Sequence, residues 1–123
     1  MIIAVDFDGT LHTGWWPDIG PPAPGAKDVM WLLKKAGHYL IIWTCREGIH
    51  QTEMVNWLLE QGIPFDRVNE HHPENVKKYD CASRKVHAHI YVDDKQVGGL
   101  PSWLKIYEWV KMVEAEYKLS ITN

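Results

Sequence analysis

Cysteine is scarce in this chain: Cys45 and Cys81 are the two among 123 residues, and they form no C-x-x-C spacing. That argues against a disulfide framework and points to a reducing compartment. No apolar run approaches the ~20 residues of a membrane span. The opening MIIAVDFDGT carries no basic segment, so neither a signal peptide nor an anchor is expected, and the reading is a cytoplasmic protein with no membrane partner. Positive charge is sparse too. Thirteen Lys and Arg are scattered against sixteen Asp and Glu, a formal net charge of −3, so charge gives no indication of a nucleic-acid partner. An anionic substrate would have to be met by local groups.

What is present is a core-forming chain. At 46% hydrophobic residues, residues 1–123 are expected to form a single domain that buries about two-thirds of its unfolded surface. Residues 2–7 and YLIIWT at 39–44 read as buried strands, too short for helices and rich in β-branched or aromatic residues. Between them Val29, Leu32, Leu33 and Ala36 recur at helical spacing before Gly37. Met54, Val55, Leu58 and Leu59 repeat that pattern before Gly62. A short strand is expected near Phe65–Asn69. HAHIYVDD supplies another, and a last helix carries Trp103, Ile106, Val110 and Val113. Strands alternating with helices predict an α/β fold, three-layered and Rossmann-like, with a mainly parallel sheet covered on both faces.

In such a sheet successive parallel strands point the same way, so Asp6, Thr44 and Asp93 fall at strand ends on the edge where open α/β folds bind ligands. Asp6 and Asp8, two apart, face the same side if the chain stays extended. Unpaired carboxylates this close repel one another. A divalent cation removes the conflict, and hard oxygen ligands with open positions suit Mg²⁺ better than zinc.

DFDGT at 6–10, Thr44 in IIWTCR, Lys85, and the acid pair in IYVDDKQVGG resemble, in type and order, the four motifs of the haloacid dehalogenase superfamily, most of whose members are phosphatases. The resemblance implies a Mg²⁺-dependent phosphohydrolase in which Asp6 is the nucleophile, forming an aspartyl phosphate, and Asp8 the acid/base. It further implies phosphate binding by Thr44, Lys85 and the Gly9 turn, with Lys77 and Lys78 as alternatives for the site lysine. Metal would be held by Asp6, the Asp8 backbone carbonyl, Asp93 and Asp94, the order of the last two being open. Phe7 would pack inward. The intervals from Thr10 to Thr44 and from Thr44 to Lys85 leave no room for a cap domain, so the site is expected to lie open at the sheet edge. A bulky phosphorylated substrate or a second copy of the chain would then have to exclude water.

Other readings compete. A phosphoacceptor receiver domain shares the length, the layering and the acids, but carries its acceptor on the third strand, where this chain offers Asn69 and Glu70. A catalytically silent phosphate-binding module is the other alternative. His71, His72, His87 and His89 bring no cysteine pair, and His87 and His89 alternate as one strand face would, so zinc is disfavoured. Trp31, Trp57, Trp103 and Trp109 fall on helical patterns and are expected in the core. Trp15 and Trp16 lie in the Gly- and Pro-rich HTGWWPDIGPPAPG with nothing periodic to bury them. They and Arg46 are candidate substrate contacts, with a solvated side chain the rival reading for Arg46.

Overall fold

The computed structural model describes residues 1–79 and 83–122, which leaves Cys81 outside the described residues. The chain alternates as β1 (Ile2–Val5), α1 (Ala26–Lys35), β2 (Tyr39–Ile42), α2 (Gly48–Gln61), β3 (Arg67–Val68), α3 (Pro73–Tyr79), β4 (Ile90–Val92) and α4 (Trp103–Thr122). The four strands form one all-parallel sheet in the order β3-β2-β1-β4, flanked by helices in a Rossmann-like arrangement. β1 is central because its four residues are all buried, as a strand covered on both faces requires. Among the described residues no helix is long and apolar enough to cross a membrane.

Strand alternation sorts the core. Ile3, Val5 and Phe7 join Met30 and Leu33 of α1, Met54 and Leu58 of α2, and Trp103, Ile106 and Val110 of α4 in the larger cluster. Ile2, Ala4 and Ile41 face the other way, beneath Val86 and Ala88, with Tyr39, Trp43 and Tyr91 packed around them. So three helices cover one face. The other lies under the stretch that links β3 to β4, where His72 stacks on Tyr39 at 4.3 Å between ring centres.

α3 lies between the strand expected near Phe65–Asn69 and HAHIYVDD, where no helix was read; PENVKKY buries no residue and so has no apolar stripe to betray it. Leu32 and Leu59, at helical spacing, are exposed, since α1 and α2 each turn a narrower stripe to the sheet. Of the tryptophans read as core, Trp103 is buried and Trp57 packs against Phe7, but Trp31 and Trp109 are exposed. The Trp31 indole lies on the surface, where it donates to the Gly62 carbonyl at 2.7 Å. His87 and His89 precede β4 rather than lying within it, their rings 5.5 Å apart.

Between Thr10 and Thr44 the chain contains a looped segment, α1 and β2. Between Thr44 and Lys85 it contains α2, β3 and α3. Among the described residues neither interval holds a further domain.

Candidate active site

β1 is hydrogen-bonded beyond its last residue: Asp6 N–H donates to Val92 O at 2.9 Å, and Trp43 N–H donates to Val5 O at 2.9 Å. Asp6 therefore inherits the alternation of Ile2 and Ala4, and Phe7, fully buried, inherits that of Ile3 and Val5. β4 runs beside β1 and delivers Asp93 and Asp94 to the same edge. One carboxylate oxygen from each of Asp6, Asp93 and Asp94 lies within 4.8 Å of the others.

Gly9 makes this approach possible. Its φ of +77° suits glycine, and a Cβ there would fall on the Asp94 carboxylate, 2.9 Å from Cγ. Gly9→Ala is accordingly expected to push Asp94 out of the cluster. Isothermal titration with Mg²⁺ should show the affinity lost while the far-ultraviolet spectrum stays that of the wild type.

The acids sit in an unbalanced field. Burial, a hydrogen bond to Asp94 and the nearby charge of Asp93 push the Asp6 carboxyl up to about 8. Thr10, buried beneath, donates its hydroxyl to Asp6 Oδ2 at 3.3 Å. Asp93 Oδ1 also accepts the Lys95 N–H at 2.8 Å, so the acid pair closes a turn and joins the cluster at once. Lys95 approaches Asp94, Nζ to Oδ2 at 3.9 Å. An all-oxygen donor set, short of positive charge and closed around by a glycine, fits a hard divalent cation such as Mg²⁺.

Asp8 is turned elsewhere. It is not part of the cluster formed by Asp6, Asp93 and Asp94; the Asp8 carboxylate is clamped by the Arg46 guanidinium, Nε to Oδ2 at 2.9 Å and a terminal nitrogen to Oδ1 at 2.7 Å. His12 Nε2 adds a third bond to Oδ1 at 2.8 Å. His12 Nδ1 accepts the N–H groups of Gly14 and Gly20 at 3.0 and 3.1 Å, so Nε2 carries the ring hydrogen and is the donor. Burial works against ionisation of Asp8, but Arg46 and His12 outweigh it and hold the carboxyl below its usual range.

Arg46 is therefore not a solvated side chain. It is buried, it also donates to the carbonyls of Pro17 and His50, and its charge lies 4.8 Å from the Trp16 ring centre. Most of its donors are held inside the protein, where it clamps Asp8.

Thr44 is braced at the end of β2. Its hydroxyl accepts the Arg46 N–H at 3.1 Å, and the Asn69 side chain bonds both its N–H and its carbonyl at 2.8 Å. Lys85 places its ammonium 4.9 Å from the Tyr91 ring centre. Tyr91 shares a sheet face with Asp93 but lies two residues, roughly 7 Å, back along β4. Lys78 lies over Tyr79, and Lys77 borders a groove with Val76 and Glu70. Among the described residues none of these three lysines forms an ion pair with Asp6.

Trp15 and Trp16, together with Asp8, Gly9, Asp94 and Lys95, line a cavity of about 430 Å³. His12, Thr10, Asn69 and Lys95 went unremarked as site residues in the sequence. A signal existed for two of them: Thr10 and His12 follow Asp6 and Asp8 at a spacing of four within one short segment.

Among known proteins, no family model matches the chain, and no curated protein matches it. A solved structure does: a conserved protein from Bacteroides thetaiotaomicron, 40% identical, with 91% of this chain and 90% of that one covered and a TM-score of 0.82. The chain belongs to the family of that conserved Bacteroides protein.

Proposed function

We propose that the protein is a Mg²⁺-dependent phosphohydrolase of the haloacid dehalogenase type, working through an aspartyl phosphate at Asp6. The observation that carries this reading is the convergence of Asp6, Asp93 and Asp94 from two adjacent parallel strands, packed so closely that only glycine fits at position 9. Evenly solvated surface acids need no such packing.

Asp6, Asp93 and Asp94 would hold the cation, with the Asp8 carbonyl as a further oxygen. When bound, the cation supplies charge that neutralises the carboxylates and the phosphate oxygens. In the first half-reaction Asp6 Oδ forms a bond to phosphorus, the ester P–O bond breaks, and the leaving oxygen takes a proton from Asp8. In the second, water forms the new bond to phosphorus, its proton passes to Asp8, and the bond to Asp6 breaks to release inorganic phosphate. Arg46 and His12 fix the Asp8 carboxylate and favour its ionised, proton-accepting form, the form the second half-reaction needs; the proton taken there from water is the one given to the leaving oxygen in the next turnover. The Thr44 hydroxyl, fixed through its oxygen by Arg46 N–H, keeps its hydrogen to donate to a phosphoryl oxygen. To meet the phosphate Lys85 would have to leave the Tyr91 ring, over which its ammonium lies.

The receiver-domain alternative finds less support, since β3 is followed by Asn69, whose side chain is occupied with Thr44. A broad phosphoester panel, run with Mg²⁺ and with excess chelator, tests the proposal. Turnover that needs the metal is expected; turnover unchanged in chelator would remove the metal from the account, and silence across the panel would favour the binding-module reading.

A further inference from the structure

The loop from Thr13 to Pro21 is built as a closed ring. Its neck is tied by Thr13 N–H to Pro21 O at 3.0 Å, and by the two amides of Gly14 and Gly20 that converge on His12 Nδ1. Gly14 and Gly20 touch backbone to backbone, and a Cβ on Gly14 would lie 2.7 Å from Gly20 Cα. His12 itself is fully buried and bonded to Asp8. The loop is thus fastened to the same side chain that fixes Asp8.

At its tip the two indoles differ. Trp16 is pinned between the Arg46 guanidinium and the His50 ring, 4.7 Å away. Trp15 is 89% exposed, though the loop that carries it is tied down. Both line one cavity together with Asp8, Gly9 and Asp94, so the indoles share a space with Asp8 and with one member of the Asp6, Asp93 and Asp94 cluster. About 430 Å³ lies within the range of small-molecule sites. Lys95, 88% exposed at the rim, adds a cation suited to an anionic ligand.

We propose that Trp15 and Trp16 form a leaving-group subsite that takes a flat aromatic ring, so that the substrate is a phosphomonoester of an aromatic-bearing alcohol. This rests on the phosphohydrolase reading for the phosphate end; the aromatic end rests on the indoles. Asp94 both clusters with Asp6 and lines the cavity with the indoles, so a phosphate seated at Asp6 would turn its ester oxygen toward them, and a ring attached there would cover an indole face that water otherwise wets. Stacking on an indole is the attraction available to any flat π-system and denied to a saturated ring. Covering Trp15 also closes the open side of the site, the task a cap would otherwise perform.

The test compares 2-(1-naphthyl)ethyl phosphate with its saturated counterpart, 2-(decahydro-1-naphthyl)ethyl phosphate, in Mg²⁺. Both release primary alcohols, so leaving-group acidity is matched and the ring is the variable. In parallel, calorimetry measures binding of the corresponding non-hydrolysable phosphonates to the wild type, Trp15→Ala and Trp15→Phe. The expected result is a preference of about tenfold for the naphthyl compound in both kcat/KM and binding, expressed through KM. Trp15→Ala should bring it near unity and Trp15→Phe should retain most of it. Equal affinity for the two phosphonates, no binding of either, or a Trp15→Ala effect confined to dissociating a dimer would overturn the subsite. Trp15-dependent binding of the naphthyl phosphonate without turnover of either ester would instead overturn the phosphohydrolase reading and leave the subsite standing.

Discussion

Asp6→Asn is expected to abolish phosphoester turnover while raising the melting temperature of the metal-free protein. Loss of a covalent nucleophile costs on the order of 10⁴-fold or more in rate. The stability gain follows from the same residue. Asp6 is an acid whose folded-state value, about 8, lies above the 3.8 of the free side chain. Between those values the folded state binds more protons than the unfolded one, so this group's contribution to stability declines as pH rises from about 4 to 8. Asparagine cannot ionise and escapes the decline. The melting advantage of the variant should be near zero at pH 4, grow through neutrality and level off above pH 8. If about 1 kcal/mol of the conflict survives relaxation, the plateau corresponds to roughly 4 °C. Saturating Mg²⁺ should narrow the gap by relieving the wild type. A variant less stable than the wild type at pH 8 without metal would show that Asp6 is not in conflict with its neighbours.

Magnesium binding at pH 7 is expected to release close to one proton per ion. A carboxyl with a value of about 8 is mostly protonated there, and a metal ligand must be ionised. Affinity should consequently rise about tenfold per pH unit from pH 6 to near 8 and then flatten. Titration calorimetry in buffers of different ionisation enthalpy reads the proton count directly. Asp6→Asn should bind more weakly and release none, whereas Asp93→Ala should weaken binding and release less than the wild type, because the Asp93 charge helps hold the Asp6 carboxyl up. Chelation should silence the wild type. Binding without proton release would mean that the cation sits elsewhere or that Asp6 is already ionised.

The fold was legible because its signals are local. Two helical patterns ending on Gly37 and Gly62, both of which adopt positive φ, and apolar runs ending on Asp6 and Thr44 are enough to order β1, α1, β2 and α2. The placing of Asp6 and Asp93 on one edge follows from parallel topology alone. What stayed hidden depends on contacts between distant residues. Arg46 lies 38 positions from Asp8, and nothing in WTCREG indicates that its guanidinium would be buried rather than solvated. The division of the acids, with the Asp8 carboxylate drawn away to Arg46 and His12, depends on a turn whose direction a sequence does not give. α3 escaped because a helix that buries nothing has no period to read. Trp109 fell on the helical pattern but on a turn of α4 that faces out, beside a groove formed with Ile90, Pro101 and Ile106.

The central claim is the bond between Asp6 and phosphorus. A phosphoester labelled at phosphorus, mixed with the Mg²⁺-loaded protein and quenched in acid within the first turnover, should leave label on the protein. Borohydride reduction of the trapped acyl phosphate, followed by peptide mass spectrometry, should convert residue 6 to homoserine, and Asp6→Asn should carry no label. Turnover that proceeds with no trapped label, or label on any residue other than Asp6, would contradict the account.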